Sequence, residues 1–176
     1  MKQLLETIVD KEDKKTLELF NEFDSLNKQT YLTKEQLLKI LRWKSTRPLQ
    51  HYEANTNEEV QEITALAFET KNDNLKAHIL TALKGVSYPA ASAILMFYDK
   101  AKYPVLDIRV WTQLYKAKLV NSNERGQNFT LGQWEVYLKV IRELANELSL
   151  TPRQIEKLLY DYDIETQTKP IYKTNG

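Results

Sequence analysis

Residues 80–114 decide the fold of this chain, and they read LTALKGVSYPAASAILMFYDKAKYPVLDIRVWTQL. Apolar residues lie on both sides of the short turn Gly85-Val86-Ser87, spaced as in amphipathic helices. Gly85 has no Cβ and adopts positive φ readily, so a tight turn is expected there. Ser87 is the expected N-cap of the second helix, and Pro89 falls in its first turn, where a missing N–H costs little. The stretch therefore begins with a predicted helical hairpin.

The first turn of that second helix is a candidate site for an anion. The first N–H groups of a helix have no partner within the helix and lie at the positive end of its dipole. Phosphate groups bind well at such a position. The hairpin therefore presents backbone donors that suit a phosphate.

The second half of the stretch places a carboxylate at the start of another helix. Asp107 follows the extended segment Tyr103-Pro104-Val105-Leu106, and Val110, Trp111 and Leu114 then recur at helical spacing. Asp107 therefore stands where a helix N-cap is expected, a role that stabilises by roughly 1 kcal/mol.

Together the two halves form a longer pattern. Its residues are Leu80-x-x-Leu83-x-Gly85-Val86-Ser87-x-x-x-Ala91-x-x-Ile94-Leu95 and, after a short loop, Tyr103-Pro104-Val105-Leu106-Asp107-x-x-Val110. The pattern resembles the helix-hairpin-helix superfamily of base-excision DNA glycosylases, such as endonuclease III and 8-oxoguanine glycosylase. Its motifs in that superfamily are L-P-G-V-G-x-x-x-A-x-x-I-L and P-V-x-D-x-x-V. The resemblance implies a DNA-repair enzyme that hydrolyses the N-glycosidic bond of a damaged or mispaired base.

The resemblance also implies roles for individual residues. Asp107 is the implied catalytic residue, whose carboxylate stabilises the cationic sugar of the transition state and orients or deprotonates the attacking water. This chemistry needs no metal or organic cofactor, and a monovalent cation at the hairpin is a further candidate ligand. The candidate DNA-binding residues of the hairpin are Lys84, Gly85, Val86, Ser87 and Tyr88.

The chain departs from the family pattern at several positions. Lys84 replaces the usual Pro and Ser87 replaces the second Gly, which favours a less tight turn. Pro89 stands where members that also cleave the DNA backbone carry a nucleophilic lysine, so lyase chemistry by that route is excluded. The chain has no Cys and cannot hold the family's four-Cys iron–sulfur cluster. The implied activity is therefore monofunctional.

The segment Arg42-Trp43-Lys44-Ser45-Thr46-Arg47 is a second candidate for function. Its cations suit DNA phosphates, and its Trp suits stacking on an unpaired base. In the alternative interpretation the Trp is buried against a neighbouring helix, and the cations are solvated or paired with acids. The candidate DNA-binding residues here are Trp43, Lys44 and Arg47. The resemblance also implies a loop in this half of the chain that inserts a side chain into the space of the extruded nucleotide, and the candidates by position are Trp43, Arg47, Gln50, His51 and Asn55.

The charge of the chain is small overall but unevenly distributed. A formal net charge of +1 over 176 residues argues against DNA binding by bulk charge alone. Residues 76–118, however, carry seven Lys or Arg against two Asp. Lys102 and Arg109 belong to this basic segment and are candidate DNA-binding residues. The alternative is an ordinary solvated face of lysines.

Two other functions stay open at this point. A non-catalytic helix-hairpin-helix module keeps the scaffold and the hairpin and binds DNA or RNA, with Asp107 as an ordinary helix cap. A protein-interaction domain without a nucleic-acid role binds DNA no better than any surface of similar charge.

Composition and periodicity predict one all-α domain of about eight helices. Only four Gly and five Pro, with 28% charged residues, favour helices over a turn-rich β protein. The domain is expected over residues 1–165, followed by a loose tail over 166–176. Helices are expected at 3–9, across Leu17, Phe20 and Phe23, at 56–70 and at 74–83. Further helices are expected in the hairpin and after Asp107. Three more are expected to begin at the capping-box patterns of Thr33, Thr130 and Thr151.

The remaining sequence features concern location and partners. The absence of Cys excludes disulfides and thiolate metal sites, and two isolated His do not predict a metal site. The N-terminus lacks the pattern of a signal peptide, and no stretch approaches 18 apolar residues. We therefore expect a cytoplasmic protein with no membrane partner, whose main partner is duplex DNA carrying a lesion.

Overall fold

The computed structural model describes residues 12–167, which form nine α-helices, one short 3-10 turn and no strand. The prediction of one all-α domain is therefore confirmed. The expected helix at 3–9 and residues 168–176 of the expected tail lie outside the described residues. The helices are α1 (Lys14–Glu22), α2 (Lys34–Lys44), α3 (Leu49–Glu53), α4 (Asn57–Glu69), α5 (Asp73–Leu80), α6 (Tyr88–Tyr98), α7 (Ile108–Lys116), α8 (Leu131–Leu148) and α9 (Pro152–Thr166), with the 3-10 turn at Leu26–Lys28.

Local sequence signals fix the starts of several helices. Thr33, Thr130 and Thr151 each open a capping box, as predicted, and Thr56 opens another. At Thr33 the hydroxyl oxygen accepts the N–H of Gln36 at 3.2 Å, and the Gln36 side chain accepts the N–H of Thr33 at 2.9 Å. These reciprocal bonds satisfy donors that a helix leaves unpaired at its N-terminus.

Helix α6 is the centre of the first group of helices. Every residue from Ala90 to Phe97 is buried, which is typical of a helix that is apolar on all sides. It packs against α2 and α5, and α4 packs against both of these helices. The second half of the predicted hairpin is thus the core helix of this group.

Helices α7, α8 and α9 form a second group, in which α9 packs on both α7 and α8. The segment 103–107 joins the two groups. The Leu106 N–H donates to Ser92 Oγ on α6 at 2.8 Å, and the Tyr137 hydroxyl on α8 donates to the Val105 carbonyl at 2.7 Å. The segment before Asp107 is therefore fixed by hydrogen bonds to both groups of helices.

Helix α1 shows where simple periodicity misleads. Phe23 is buried and Phe20 partly buried, but Leu17 is 49% exposed although the three recur every three residues. An α-helix turns 100° per residue, so a strict three-residue repeat drifts by about 60° at each step. Two steps move the side chain away from the face that contacts the core.

The turn between α5 and α6 requires its glycine. Gly85 has φ +81°, in the left-handed region that side chains rarely adopt. A Cβ at this position would lie 2.7 Å from the Cβ of His51 and 3.1 Å from a ring carbon of Tyr52. The backbone of the turn therefore approaches α3 more closely than any other residue type permits.

Replacing this glycine tests the packing of the turn against α3. We expect Gly85→Ala to lower the free energy of unfolding by roughly 1–3 kcal/mol, because the residue is strained and its Cβ meets His51. Urea unfolding followed by circular dichroism measures the change. Gly132→Ala is the matched control, since a Cβ there meets no atom within 4 Å. This control is expected to be neutral or to stabilise helix α8 by up to about 1 kcal/mol. Equal effects of the two substitutions would contradict the interpretation.

Candidate functional site

The turn between α5 and α6 is anchored by a buried amide side chain. Asn55 is 2% exposed and lies just beyond α3. Its Oδ1 accepts the Lys84 N–H at 2.8 Å, and its Nδ2 donates to the Lys84 carbonyl at 3.1 Å. Within the turn the Val86 N–H donates to the Leu83 carbonyl at 3.0 Å. The sequence marked Asn55 only as a wedge candidate, whereas the structure gives it the role of a clamp on the turn.

Ser87 occupies the N-cap position of α6, as predicted, but its side chain makes no capping hydrogen bond. The residue is exposed. Ser87 is therefore the N-cap residue by position, but its hydroxyl adds no hydrogen bond to the start of the helix. The exposed start of α6 carries backbone donors without a side-chain cap, which is the arrangement that favours an anion.

Asp107 is the N-cap of α7 and lies in a buried ion pair. Its Oδ1 accepts the Arg109 N–H at 2.9 Å, and its Oδ2 accepts a hydrogen bond from Lys44 Nζ at 2.7 Å. The Lys44 and Asp107 side chains are only 14% and 19% exposed. Lys44 is the last residue of α2, so this pair connects the two groups of helices.

The surroundings keep Asp107 ionised at neutral pH. Burial raises the pKa of this carboxyl, but the charge of Lys44, its hydrogen bond and the Arg109 N–H together outweigh burial. The net pKa lies below the ordinary value of 3.8. The carboxylate is therefore a fixed negative charge and a weak base.

Two cavities meet at the Lys44–Asp107 pair. The larger, which we name the turn cavity, has a volume of about 700 Å³. It extends from Asp107 to Ser87 at the start of α6, and Arg47 and His51 also line it. The turn cavity thus brings the predicted catalytic carboxylate and the predicted phosphate site to one space.

The smaller cavity, which we name the charged cavity, has a volume of about 210 Å³. Besides Lys44 and Asp107 it is lined by Asp13, Trp43, Val105, Arg153, Glu156, Lys157 and Tyr160. Most of these residues are charged, although several are buried. Helix α9 supplies three of the six charged residues that line this cavity.

A network of ion pairs lines the charged cavity. The Arg153 guanidinium donates to both carboxylate oxygens of Glu12, at 2.7 and 2.9 Å, and also to Glu156. Glu156 accepts the Val105 N–H at 3.3 Å. Burial raises the pKa of Glu156, and the neighbouring Arg153 offsets only part of this effect. Because Val105 precedes Asp107 by two residues, the network helps to fix the segment that carries the carboxylate.

Hydrogen bonds to the buried carboxylate of Asp163 hold helix α7 to α9. Arg109 donates to Asp163 Oδ2 at 2.9 Å, and Gln113 donates to Asp163 Oδ1 at 2.6 Å. Asp163 is fully buried. Arg109, a candidate for DNA binding, therefore has a structural partner inside the protein.

Of the other predicted DNA-binding residues, some line the turn cavity and the rest make contacts elsewhere in the protein. Lys44, Arg47 and Ser87 line the turn cavity together with Asp107. Lys84 pairs with Glu59 at 2.7 Å, and Lys102 pairs with Asp99 at 3.0 Å. Gly85 and Val86 shape the turn, and Tyr88 hydrogen-bonds to His78 at 2.8 Å. The structure therefore brings only part of the predicted set to one place.

Trp43 packs against the core of the first group of helices. Its ring meets Phe97 edge-on at 5.0 Å between centroids, and its Nε1 donates to Thr16 Oγ1 at 2.9 Å. The Arg153 guanidinium lies 5.6 Å from the ring centroid. Trp43 is therefore partly buried against a neighbouring helix, which agrees with the alternative interpretation more than with an exposed stacking residue.

The basic segment 76–118 does not form a continuous cationic surface. Lys76 is buried, and its Nζ donates to the Ala67 and Phe68 carbonyls near the end of α4, at 3.2 and 2.9 Å. Lys100 lies over the ring of Phe20, with Nζ 4.4 Å from the centroid. Lys84, Lys102 and Arg109 pair with carboxylates, the first two at the surface, so five of the seven cations have a partner in the chain.

Sequence reasoning missed the charged wall supplied by α9. Arg153, Glu156, Lys157 and Tyr160 recur at the i, i+3, i+4, i+7 spacing of one helix face. The sequence analysis predicted this helix from its capping box at Thr151; its apolar residues Ile155, Leu158 and Leu159 are buried. The spacing of the charged residues was the available signal that this helix has a second, polar inner face.

Comparison with protein-family models, with curated proteins and with solved structures found no match to this chain. Within residues 12–167, no helix is both long and apolar enough to cross a membrane. The same part of the chain holds no group of three or more His, Asp or Glu side chains that could bind a metal ion. A function for this chain must therefore be inferred from the two cavities at Asp107.

Removing Lys44 tests the ion pair. We expect Lys44→Met to lower the free energy of unfolding by roughly 1–3 kcal/mol at pH 7, because Asp107 loses its buried partner. A carboxyl with a lowered pKa contributes stability above its unfolded pKa, and this contribution disappears as the pH falls through the folded pKa. The difference between wild type and variant should therefore shrink between pH 7 and pH values below 3.8.

Lys39→Met is the matched control, since Lys39 is on the same helix and pairs with Glu22 at 2.7 Å on the surface. This control should change stability much less. Urea unfolding at several pH values measures both variants. An equal loss in both, or a Lys44 effect independent of pH, would contradict the role of the pair.

Proposed function

We propose that the protein is a DNA glycosylase of the helix-hairpin-helix kind, which hydrolyses the N-glycosidic bond of a damaged or mispaired base without cleaving the DNA backbone. One observation carries the proposal: Asp107 and the start of α6 at Ser87 border the same cavity of about 700 Å³. The sequence pattern implies a carboxylate and a phosphate site that act together. Their position at one cavity supports that interpretation.

The DNA backbone is proposed to lie along the turn cavity. The N–H groups of Tyr88 and Ala90 in the first turn of α6 receive a phosphate, since Pro89 between them has no N–H, and Arg47 and His51, which also line the cavity, supply further contacts. A monovalent cation at the turn and a cytoplasmic location remain predictions of the sequence. Since most cations of the basic segment 76–118 already have a partner in the chain, we expect modest affinity and a shallow dependence on salt.

The proposed reaction depends on the charge of Asp107. The target base leaves the stack, at a cost of a few kcal/mol, and its sugar reaches the carboxylate. As the glycosidic bond breaks, the base leaves with the electron pair and positive charge develops on the sugar, which the fixed carboxylate stabilises. Water then adds to the sugar carbon, and its proton passes to the departing base. Because the pKa of Asp107 is lowered, it is a weak base, so its main contribution is electrostatic. Lys44 and the Arg109 N–H keep the carboxylate in place.

A non-catalytic nucleic-acid-binding module is the second candidate. The observation that favours it is that both oxygens of Asp107 already have partners, one in a helix cap and one in an ion pair. Such an arrangement also suits a purely structural carboxylate that joins two groups of helices. In that case the turn and Arg47 still bind a phosphate backbone, but no base is released.

Asp107→Asn separates the two candidates. The purified chain is incubated with duplexes that carry single lesions, and alkaline cleavage then reveals abasic sites. We expect wild type to release one base, and Asp107→Asn to reduce the rate by about 100-fold or more with duplex binding retained.

Asp99→Asn is the matched control. Asp99 also accepts the N–H two residues ahead, from Ala101 at 3.1 Å, and also pairs with a lysine, Lys102, but it lines neither cavity at Asp107. Its activity should equal that of wild type. Duplex binding without any base release by wild type would identify the module instead, and the absence of both would reject a nucleic-acid function.

A further inference from the structure

A third cavity lies away from the two cavities at Asp107. It has a volume of about 230 Å³ and lies between the end of α1 and the end of α6. We name it the aromatic cavity, because it is lined by Phe20, Phe23, Phe97 and Tyr98. It shares no lining residue with the turn cavity or the charged cavity. The DNA contacts proposed above therefore leave it without a role.

The phenyl rings of the aromatic cavity are steeply inclined to one another. Phe97 is tilted 58° from Phe20 with the ring centroids 5.5 Å apart, and 79° from Phe23 with the centroids 5.8 Å apart. Phe23 and Phe97 are each 5% exposed, and Phe20 is partly buried. Packing in the core thus fixes these rings, and together they give one small space aromatic surface on more than one side.

An ammonium group of the chain already lies against this aromatic surface. Lys100 follows the end of α6 and is exposed, and its Nζ is 4.4 Å from the centroid of the Phe20 ring. A cation within about 6 Å of a ring centroid is attracted by the negative charge of the ring face. This attraction is weak at an exposed site, so another cation can replace the lysine at little cost.

Two carboxylates also line the aromatic cavity. Asp99 is paired with Lys102 at 3.0 Å. The Asp24 carboxylate, in contrast, is exposed and has no hydrogen-bond or ion-pair partner within residues 12–167. With Lys102 counted, the two carboxylates are balanced by two lysines. A ligand cation that displaces the Lys100 ammonium into water therefore finds a site whose remaining charge is negative.

We infer that the aromatic cavity binds a methylated ammonium group, which displaces the Lys100 ammonium from the Phe20 ring. A primary ammonium is compact and strongly hydrated, so its transfer from water to aromatic rings is costly. Methyl groups weaken that hydration and spread the same charge over an apolar surface, which suits aromatic rings.

The size of the cavity sets the scale of the ligand. Pockets for drug-sized ligands have volumes of about 300–1,000 Å³, so the smaller aromatic cavity suits one small group. A methylated ammonium group occurs in small quaternary amines such as choline and in methylated lysine side chains. Binding of either at this site goes beyond the proposed glycosylase function and does not depend on it.

The first test compares choline with its uncharged isostere, in which a carbon atom replaces the quaternary nitrogen. The two ligands share their shape and methyl groups, so the comparison isolates the attraction of the charge. Binding to the full chain is followed by amide chemical shifts in NMR titrations. We expect choline to bind at least about fivefold more tightly, with the largest shift changes around Phe20 and Lys100. Equal affinities, no binding of choline, or shift changes centred on Asp107 overturn the inference.

A second arm of the same titration distinguishes the two sources of the group. It uses trimethyllysine with both backbone ends blocked, and unmethylated lysine blocked in the same way. Tighter binding of the trimethyllysine probe than of choline assigns the site to a lysine side chain, and the reverse order assigns it to a small quaternary amine. Tighter binding of unmethylated lysine than of trimethyllysine overturns the inference.

The third test removes the internal competitor. We expect Lys100→Ala to strengthen choline binding by roughly threefold, because the ring no longer carries an ammonium of the chain. Lys116→Ala is the matched control, since Lys116 is also exposed and lines none of the three cavities. Weaker binding by Lys100→Ala, or equal affinities of the two variants, overturns the displacement.

The fourth test removes the aromatic ring itself. In Phe20→Leu an apolar side chain remains, so we expect the affinity for choline to fall to that of the uncharged isostere. An unchanged preference for choline overturns the role of the ring. Should Phe20→Leu fail to fold, the exposed Lys100→Ala and the comparison of ligands on the wild-type chain still decide the inference.

Discussion

The ion pair between Lys44 and Asp107 is the interaction on which the rest of the site depends. It joins the end of α2 to the start of α7, and it forms part of the wall of both cavities. Both charges have lost most of their contact with water, so their attraction and hydrogen bonds must offset a substantial desolvation cost. The Arg109 N–H supplies one further bond to the carboxylate. As a result Asp107 has one position and one protonation state at neutral pH.

The buried charges around this pair follow the same physical rule. Arg153 and Glu156 lie almost wholly inside the protein, and each has a partner of opposite charge. Buried ion pairs add little net stability compared with apolar residues of similar size, because desolvation cancels much of the attraction. Their concentration on one side of Asp107 is therefore more typical of a binding site than of a core. Lys76 shows the other use of a buried charge, since it satisfies carbonyl groups near the end of α4.

In the hairpin region, several features were predicted correctly from single residues of the sequence. A glycine in the middle of the turn, a proline in the first turn of α6 and a polar residue before α7 were all correctly placed from the sequence. Each follows from the φ, the missing N–H or the side-chain acceptor of a single residue, so no knowledge of distant neighbours is needed. Leu17 marks the limit of this reasoning, because an apolar repeat predicts a helix but does not decide which of its residues the core covers.

The sequence by itself determined most of the helices, three of the four capping boxes and the position of Asp107 at a helix start, because these features depend on residues three or four apart; it did not predict the short helix α3 or the capping box at Thr56. The tertiary structure decided which charges meet. Lys44 and Asp107 are 63 residues apart, and Arg153 and Glu12 are 141 apart. No local periodicity specifies such partners, since they follow from how whole helices pack. For this reason the basic segment 76–118 resembled a DNA-binding surface in the sequence, whereas in the structure most of its cations contact a carboxylate, a carbonyl or a ring of the same chain.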